Sequence, residues 1–515
     1  MTASRRDFIK FVVAGSVAAG CPLDLTLLAA DPAGAPTPGV HGEHFDVCHS
    51  LRDGRHFARP EATRKTAILI IGGGVAGLSA AYFLRGEDFL LLEKEEHFGG
   101  NAYQEEYLGQ PFATGSAFAW KDDEGDQLSR ELGMKLLPVS NPDPTIVNGA
   151  WVPETWRAGL EQLPYPKEVR ESFRKFRDSV RKINLRERFL ELDREPFGKY
   201  TAGYAPEITQ WWDAYGPSNW GATTAETSAL MGVSELQSIG GGEEDLRVIL
   251  PGGLGCITHK LVELLRPQHH ERLLGGATVV AVVPGKDDVR VTYLRAGRLL
   301  TVAAKTVLFC APKFIAARLL TGLPAPQLAA MHRIRYAPYP VVNAIFDQPV
   351  YNRAYDTWCP GNSFTDFVVA DWTVRNSPGY TQKHNILTFY TPLPPSQRST
   401  LLEETGCKAL AARVLADFQK LRPEHNVNPR ELRLYRRGHP MFMTVPGQYT
   451  GNRIAAAQPL DRIFFGNADS GGPESQTSEA IRLSRIGAEW AQLVLAGKPG
   501  ARELAQKALA ASSDL

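Results

Sequence analysis

Residues Thr66 to Tyr103 read TAILIIGGGVAGLSAAYFLRGEDFLLLEKEEHFGGNAY. Ala67 to Ile71 is a short, unbroken, β-branched-rich apolar run, the pattern of a strand buried on both faces of a parallel sheet. It stops at glycines: Gly72, Gly74 and Gly77 fall in GxGxxG spacing, and Leu78 to Leu84 reads as helix. Strand, tight turn and helix thus arrive in the order a dinucleotide site needs. The first glycine permits the turn, the second lets backbone approach a diphosphate, and the third lets helix pack on strand. Val75 and Ala76 complete the loop, where the unpaired N–H groups and dipole of the helix start favour an anion. A second strand, Phe89 to Leu92, ends at Glu93 and Lys94, and an acid about 20 residues past the first glycine serves the ribose hydroxyls. That carboxylate would repel the extra phosphate of NADP.

The residues after the second strand separate FAD from NAD. Phe98-Gly99-Gly100-Asn101 extends the motif by a glycine doublet, and near the C-terminus Arg462-Ile-Phe-Phe-Gly-Asn-Ala-Asp469 precedes a helical stretch beginning Ser478-Glu479-Ala480. On these residues the chain resembles the flavin-containing amine oxidase superfamily. The resemblance implies FAD, held by the first loop, by Gly99, Gly100 and Asn101, and by Asp469, Ser478, Glu479 and Ala480. It also implies a small-residue turn, Gly115 and Ser116, close to the isoalloxazine, the backbone of Val280 at the adenine, and Ala311 after a central strand. A nicotinamide enzyme finds no support, since no second GxGxxG unit appears.

The implied fold is α/β: an FAD-binding Rossmann-like domain, with a parallel sheet and helices, interleaved with an α+β substrate domain carrying a mixed sheet and a helical cap. The expected divisions are a signal peptide (1–35), a tether rich in Pro, Gly and His (36–65) and a discontinuous flavin domain (66–118, 238–325 and 455–500). The substrate domain takes 119–237 and 326–454, and a loose tail 501–515. Apolar content of 43% and charged content of 22% are those of an ordinary globular protein with a sizeable core. With 57 basic and 56 acidic residues, the net charge of +1 gives no reason to expect a nucleic-acid partner.

At the N-terminus, Ser4-Arg5-Arg6-Asp7-Phe8-Ile9-Lys10 matches the twin-arginine export pattern, and Phe11 to Gly20 is apolar. Pro22 and Asp24 interrupt the run before it could span a bilayer. The expected product is periplasmic, exported by the twin-arginine machinery and cleaved after Ala30 or Ala35. Ala18-Ala19-Gly20-Cys21 is a loose lipobox and offers the alternative of a lipid anchor at Cys21. The six cysteines are widely spread, and five remain without Cys21, an odd number that argues against a disulfide framework. His41, His44, His49 and His56 fit no zinc pattern, so no metal is expected. The string His44 to Gly54 further resembles the approach to the flavin domain in bacterial spermidine dehydrogenases.

Several single residues carry expectations. Trp211, Trp212, Tyr215 and Trp220 are candidate pocket aromatics or core, and Arg170 to Arg188 reads as a solvated helical cap. Val289 to Tyr293 and Leu299 to Ala303 read as a hairpin, with Lys305 to Pro312 a separate strand. Lys313 reads as a surface charge. Monoamine oxidases hold a water against the flavin with a lysine; by the resemblance Asn343 stands at that place, which favours a separate electron acceptor over dioxygen. His439, in Arg437-Gly-His439-Pro440, is the candidate proton or amine-orienting group, since imidazole titrates near neutral pH. Gln476 stands where those enzymes place a flavin-facing tyrosine. The first functional reading is an FAD-dependent oxidoreductase transferring hydride from a small-molecule amine, including polyamines, to flavin N5. Two alternatives remain: a desaturase or porphyrinogen-oxidase type reaction on C–C bonds, and a flavin-bound binding or assembly factor without turnover.

Overall fold

The computed structural model describes residues 36–139, 143–241, 246–422 and 427–510. The twin-arginine motif, both cleavage sites and Cys21 lie outside the described residues. The quoted stretch forms the centre of a seven-stranded sheet. Arg64–Ile71 pairs in parallel with Phe89–Leu92 on one side and with Arg298–Phe309 on the other, and Ile463–Phe465 joins the far end of the latter in parallel. Side chains alternate across this sheet: Ile68 and Ile70 enter one core with Leu78 and Leu483, while Leu69 and Ile71 enter another with Val282 and Phe309. Both faces are therefore buried, which is why the run is apolar without alternation. The helix Val75–Phe83 lies against Thr477–Leu495, where the Ser484 hydroxyl donates to the Ala76 carbonyl at 2.7 Å.

The expected hairpin forms, but the strand expected at 305–312 is not separate from it: one twelve-residue strand, Arg298–Phe309, carries both. Its first half pairs antiparallel with Val289–Arg295, and its second half runs parallel to Arg64–Ile71. One strand changing partners looks in sequence like two, because the exposed Lys305 interrupts its apolar pattern near the handover.

The second domain is built on an eight-stranded mixed sheet ordered Gly39–Gly42, Glu431–Arg436, Val341–Phe346, Asn385–Tyr390, Asp366–Val369, Asp356–Trp358, Pro144–Val147 and Ala150–Pro153. Above it stand the cap helices Lys167–Val180, Leu185–Arg194, Pro206–Trp220 and Ala229–Gly241. The cap is solvated on one side only: Phe173, Phe176 and Trp212 pack with Trp156 in a core of their own.

Three segments differ from expectation. Residues 36–65 do not form a tether, since Gly39–Gly42 is an edge strand of the substrate sheet and Asp46–Arg52 is a helix. The tail carries the helix Ala501–Leu509, whose Ala505, Ala508 and Leu509 are buried and whose Leu509 carbonyl accepts from Arg453 at 3.0 Å. The helix Glu124–Glu131, expected with the substrate domain, buries Leu128 in the flavin-domain core. In each case pairing with or packing on a distant element decides the structure, which local sequence does not display. Among the described residues no helix is long and apolar enough to cross a membrane, and Cys48, Cys256, Cys310, Cys359 and Cys407 are free thiols.

Candidate active site

A cavity of about 2030 Å³ runs from the glycine loop into the substrate domain. Gly72, Gly74, Val75, Ala76, Glu93, Lys94, Gly100, Asn101, Gly115, Ser116, Ala311, Asp469, Ser478 and Ala480 all line it. Gly77 and Gly99 do not face the cavity but shape it. A Cβ on Gly77 would lie 1.8 Å from the Gly72 carbonyl oxygen, so only glycine lets helix meet strand there. Gly99 pairs with Gly74 through a β-bridge that sets the doublet against the loop.

Two expected cofactor residues stand off the wall. On the adenine-side strand the lining is Ala277, Thr278 and Val279, not Val280, because a bulge between Val279 and Ala281 resets the facing residue. Glu479 turns instead to Arg482, at 2.7 Å.

Glu93 is buried, one carboxylate oxygen accepting from the Gly73 N–H at 2.6 Å and the other from the Glu95 N–H at 2.9 Å. Burial raises its pKa, against those N–H bonds and the Lys94 charge. The Lys94 ammonium is engaged by Glu95 and, at 3.3 Å, by the His44 carbonyl. Glycine loop, helix start and buried acid fit the dinucleotide half of FAD, with Val75–Phe83 supplying the unpaired N–H groups for its diphosphate.

Two buried cations shape the middle of the cavity, and the sequence flagged neither as functional. Arg437 donates to the Gly100 carbonyl (2.9 Å), to Asn101 Oδ1 (3.3 Å) and to the carbonyl and hydroxyl of Thr114 (3.1 and 3.0 Å). It thereby fastens the glycine doublet to the Thr114-Gly115-Ser116 turn. Lys313, expected at the surface, is fully buried. Its ammonium donates to Asp469 Oδ1 at 2.7 Å and to the Ser470 hydroxyl, while Asp469 Oδ2 accepts from the Lys313 N–H (2.7 Å) and the Tyr336 hydroxyl (2.6 Å). Burial lowers the lysine pKa and Asp469 opposes it. Lys313 and Asp469 lie 156 residues apart, so no spacing signal could have found the pair.

Both candidate catalytic residues change standing. Asn343 is fully buried, accepts from the Thr388 hydroxyl at 2.7 Å on the neighbouring strand, and is absent from the cavity wall. Val341, on the same sheet face, does reach the cavity, whereas Ile345 packs with Tyr107 and Phe112. The cavity ends between them, one strand repeat short of Asn343. Asn343→Leu is therefore expected to leave the flavin absorbance unchanged and to lower the melting temperature by a few degrees, at about 1–2 kcal/mol for the orphaned Thr388 hydroxyl. A shifted flavin spectrum would return Asn343 to the site. His439 does line the cavity, its ring 4.7 Å from that of Phe314. Burial, with Arg398, His49, Arg318 and Arg52, lowers its pKa to about 4. It is neutral at pH 7 among positive groups, a poor setting for receiving an ammonium.

The opposite setting occurs at the substrate-domain end. Trp211, Tyr215, Trp220, Tyr339, Trp358 and Tyr390 wall a chamber that also contains Glu235, Asp356, Asp366 and Glu474. Tyr215 stacks on Trp211 at 5.3 Å and sits 4.6 Å from Trp358. Trp212 is absent from the wall and belongs to the cap core. Glu474 accepts from the Trp220 indole at 3.0 Å and from the Gln476 amide, and burial and then Glu235 raise its pKa to about 7. The Tyr215 hydroxyl donates to Glu235. Asp366 accepts from Ser218 (2.7 Å) and Thr365 (2.5 Å), with its pKa raised by burial to about 7. Asp356 is driven well above the usual carboxylate range by burial and by Asp143 and Asp366, although Arg247 stands 3.6 Å away. Sequence reading found three of the aromatic residues but none of these acids, which are spread singly over some 240 positions.

The model of the flavin containing amine oxidoreductase family matches residues 75–488. Oxidoreductase PigB of Serratia sp. (strain ATCC 39006) is 26% identical over 242 residues, covering 44% of this chain and 35% of that protein, so the chain matches about a third of that relative's length. A double mutant of putrescine oxidase superposes with a TM-score of 0.64 at 15% identity, over 83% of this chain and 99% of the other. Cyclohexylamine oxidase from Brevibacterium oxydans IH-35A does so with a TM-score of 0.63 at 16% identity, over 83% and 98%. With a glycine loop, a buried acid after the second strand and a C-terminal stretch that close on one cavity, and a family match spanning most of its length, the chain belongs to the flavin-containing amine oxidoreductases and is an FAD-dependent oxidoreductase.

Proposed function

We propose that the protein oxidises an amine bearing more than one positive charge, a diamine or polyamine, by hydride transfer from the α-carbon to FAD. The observation that carries this reading is the chamber in which four carboxylates meet six aromatic side chains. Aromatic faces and carboxylates both attract ammonium groups, and desolvation strengthens each. An uncharged isoprenoid offers no cation for Asp366 and Glu474 to meet, and the carboxylates of a porphyrinogen would meet them as like charges, which disfavours the C–C reading. Putrescine oxidase, one of the structural neighbours, is named for a diamine.

The bound FAD supplies the hydride acceptor; the rest of the chemistry is protonic and positional. An alkylamine arrives protonated and must lose that proton before its α-hydride can leave. Glu474 is placed to receive it: the N–H bond breaks, an O–H bond forms on the carboxylate, and the Trp220 indole holds that carboxylate in position. Asp366 and Asp356 anchor the second ammonium, and the aromatic walls exclude water. Among the described cavity residues the one lysine is Lys94, at the dinucleotide end, which supports a separate electron acceptor over dioxygen. Export by the twin-arginine route to the periplasm, which carries folded cofactor proteins, completes the proposal.

Anaerobic mixing with putrescine or spermidine should bleach the flavin absorbance, and an artificial acceptor should sustain faster turnover than dioxygen. Failure of every primary and secondary amine to bleach it removes the reading. Asp366→Asn is expected to raise KM for a diamine about tenfold with kcat nearly unchanged, because it weakens binding remote from the reacting carbon. An equal effect on a monoamine would contradict the anchoring role.

A further inference from the structure

The segment before the family-matched region faces the cofactor cavity. Gly39–Gly42 runs parallel to Glu431–Arg436, with Gly42 opposite Arg436, and the His41 ring stacks on Tyr435 at 5.3 Å. At Gly42 the chain turns with φ of +111°, and a Cβ there would lie 2.4 Å from the Arg436 carbonyl oxygen. Only glycine permits both. The chain then leaves the substrate sheet and fastens to the nucleotide domain. The His44 N–H donates to Glu95 at 2.9 Å, the His44 ring lies 2.5 Å from the other Glu95 oxygen, and Lys94 donates to the His44 carbonyl. Phe45 sits under the Arg436 guanidinium at 4.9 Å, and Leu51 packs on the core that contains Val279 and Phe309. Phe45, Cys48, His49 and Arg52 line the same cavity as Glu93, Lys94 and Val279. Burial raises the Cys48 thiol pKa, and the charged groups acting on it are Lys94, Glu43, Glu95 and Glu93, so this helix lies beside the ribose acid.

We infer that residues 39–52 are a strap that closes the dinucleotide end of the FAD site and governs release of the cofactor. The strap is held by different domains: its first strand on the Arg433–Arg436 edge of the substrate sheet, and His44 and Leu51 on Glu95 and the core of the nucleotide domain. It has no apolar helix of its own to fold on: no residue of Asp46–Arg52 is fully buried. Its position therefore depends on what lies beneath it, and FAD binding and strap docking are coupled reciprocally. The inference rests on FAD binding, not on the nature of the substrate, so it survives if no amine is oxidised.

The test is the rate at which FAD leaves the holoprotein, read as the rise in flavin fluorescence on dilution into FAD-free buffer. Gly42→Val cannot adopt the turn or clear the Arg436 carbonyl, and is expected to release FAD about tenfold faster while keeping the wild-type far-ultraviolet spectrum. A folded Gly42→Val protein whose release rate stays within about twofold of wild type overturns the strap. Independently, amide hydrogen exchange in the wild-type chain should slow across residues 40–52 when FAD is bound. Identical exchange of that segment with and without FAD also overturns it, and decides the matter if the variant fails to fold.

Discussion

Glu474→Gln is expected to lower kcat/KM for a reactive amine about 100- to 10,000-fold, the range spanned by loss of a positioned general base. The amide keeps the shape and one acceptor for the Trp220 indole, so the loss reports proton transfer more than packing. The sign of the pH dependence comes from the raised pKa of about 7. Below that pH the carboxyl holds its proton and cannot accept another; above it the carboxylate is free. Wild-type kcat/KM should therefore rise with pH through about 7, and that limb should flatten in Glu474→Gln. The group that could imitate the limb is Asp366, whose pKa burial also raises to about 7; the limb should persist in Asp366→Asn if it belongs to Glu474. Glu235→Gln should shift the limb to lower pH, since removing a neighbouring negative charge eases ionisation, without abolishing it. An unchanged limb in Glu474→Gln would falsify the assignment. Stability carries the opposite sign. A folded-state pKa above the unfolded value of 4.5 means a stability contribution present below 4.5 and lost as pH rises to about 7. Glu474→Gln should accordingly be more heat-resistant than wild type at pH 8, while less active.

Lys313→Met is expected to be the most damaging single change to the fold near the cofactor. Removing one member of a buried ion pair leaves the other uncompensated, at about 3–5 kcal/mol. Here Asp469 would keep the Tyr336 hydroxyl and one backbone N–H but lose its counter-charge, in a site where both side chains are 0–1% exposed. Since Asp469 also lines the cavity, the variant should melt several degrees lower and retain less FAD through purification. The double variant Lys313→Met/Asp469→Asn removes both charges and should recover much of the melting temperature but not FAD retention. If the single and double variants melt alike, the pair is not coupled and the lysine is only filling space. If both retain FAD fully, Asp469 does not serve the cofactor.

Much of this was legible because it is local. The nucleotide strand, its glycines, the helix after them and Glu93 all lie within residues 64–93, and their pattern reflects a geometry fixed by neighbours in the chain. The C-terminal stretch was legible for the same reason, as a strand, Ile463–Phe465, succeeded by a helix. Misreadings arose where a residue's environment comes from a remote element. Lys313 carries the label of a surface residue, and only Asp469 converts it into a core one. Asn343 lies on the expected strand, but whether position 341 or 343 meets the cavity depends on where the Gln104–Ala113 hairpin ends the opening. Residues 39–42 hold two glycines and a histidine among four positions, with no strand pattern to read, because an edge strand is specified by the backbone of its partner.

The amino-acid sequence alone determined the cofactor class and the order of the parts. Hydrophobic period, glycine spacing and one acid suffice to specify a strand, a phosphate loop and a ribose ligand, all set by short-range sterics and hydrogen bonding. The tertiary structure alone decided the chemistry of the chamber. Glu235, Asp356, Asp366 and Glu474 are ordinary carboxylates in the chain, and they become candidate amine ligands only because folding places them together among aromatic side chains, where withdrawal of water raises the pKa of Asp356, Asp366 and Glu474.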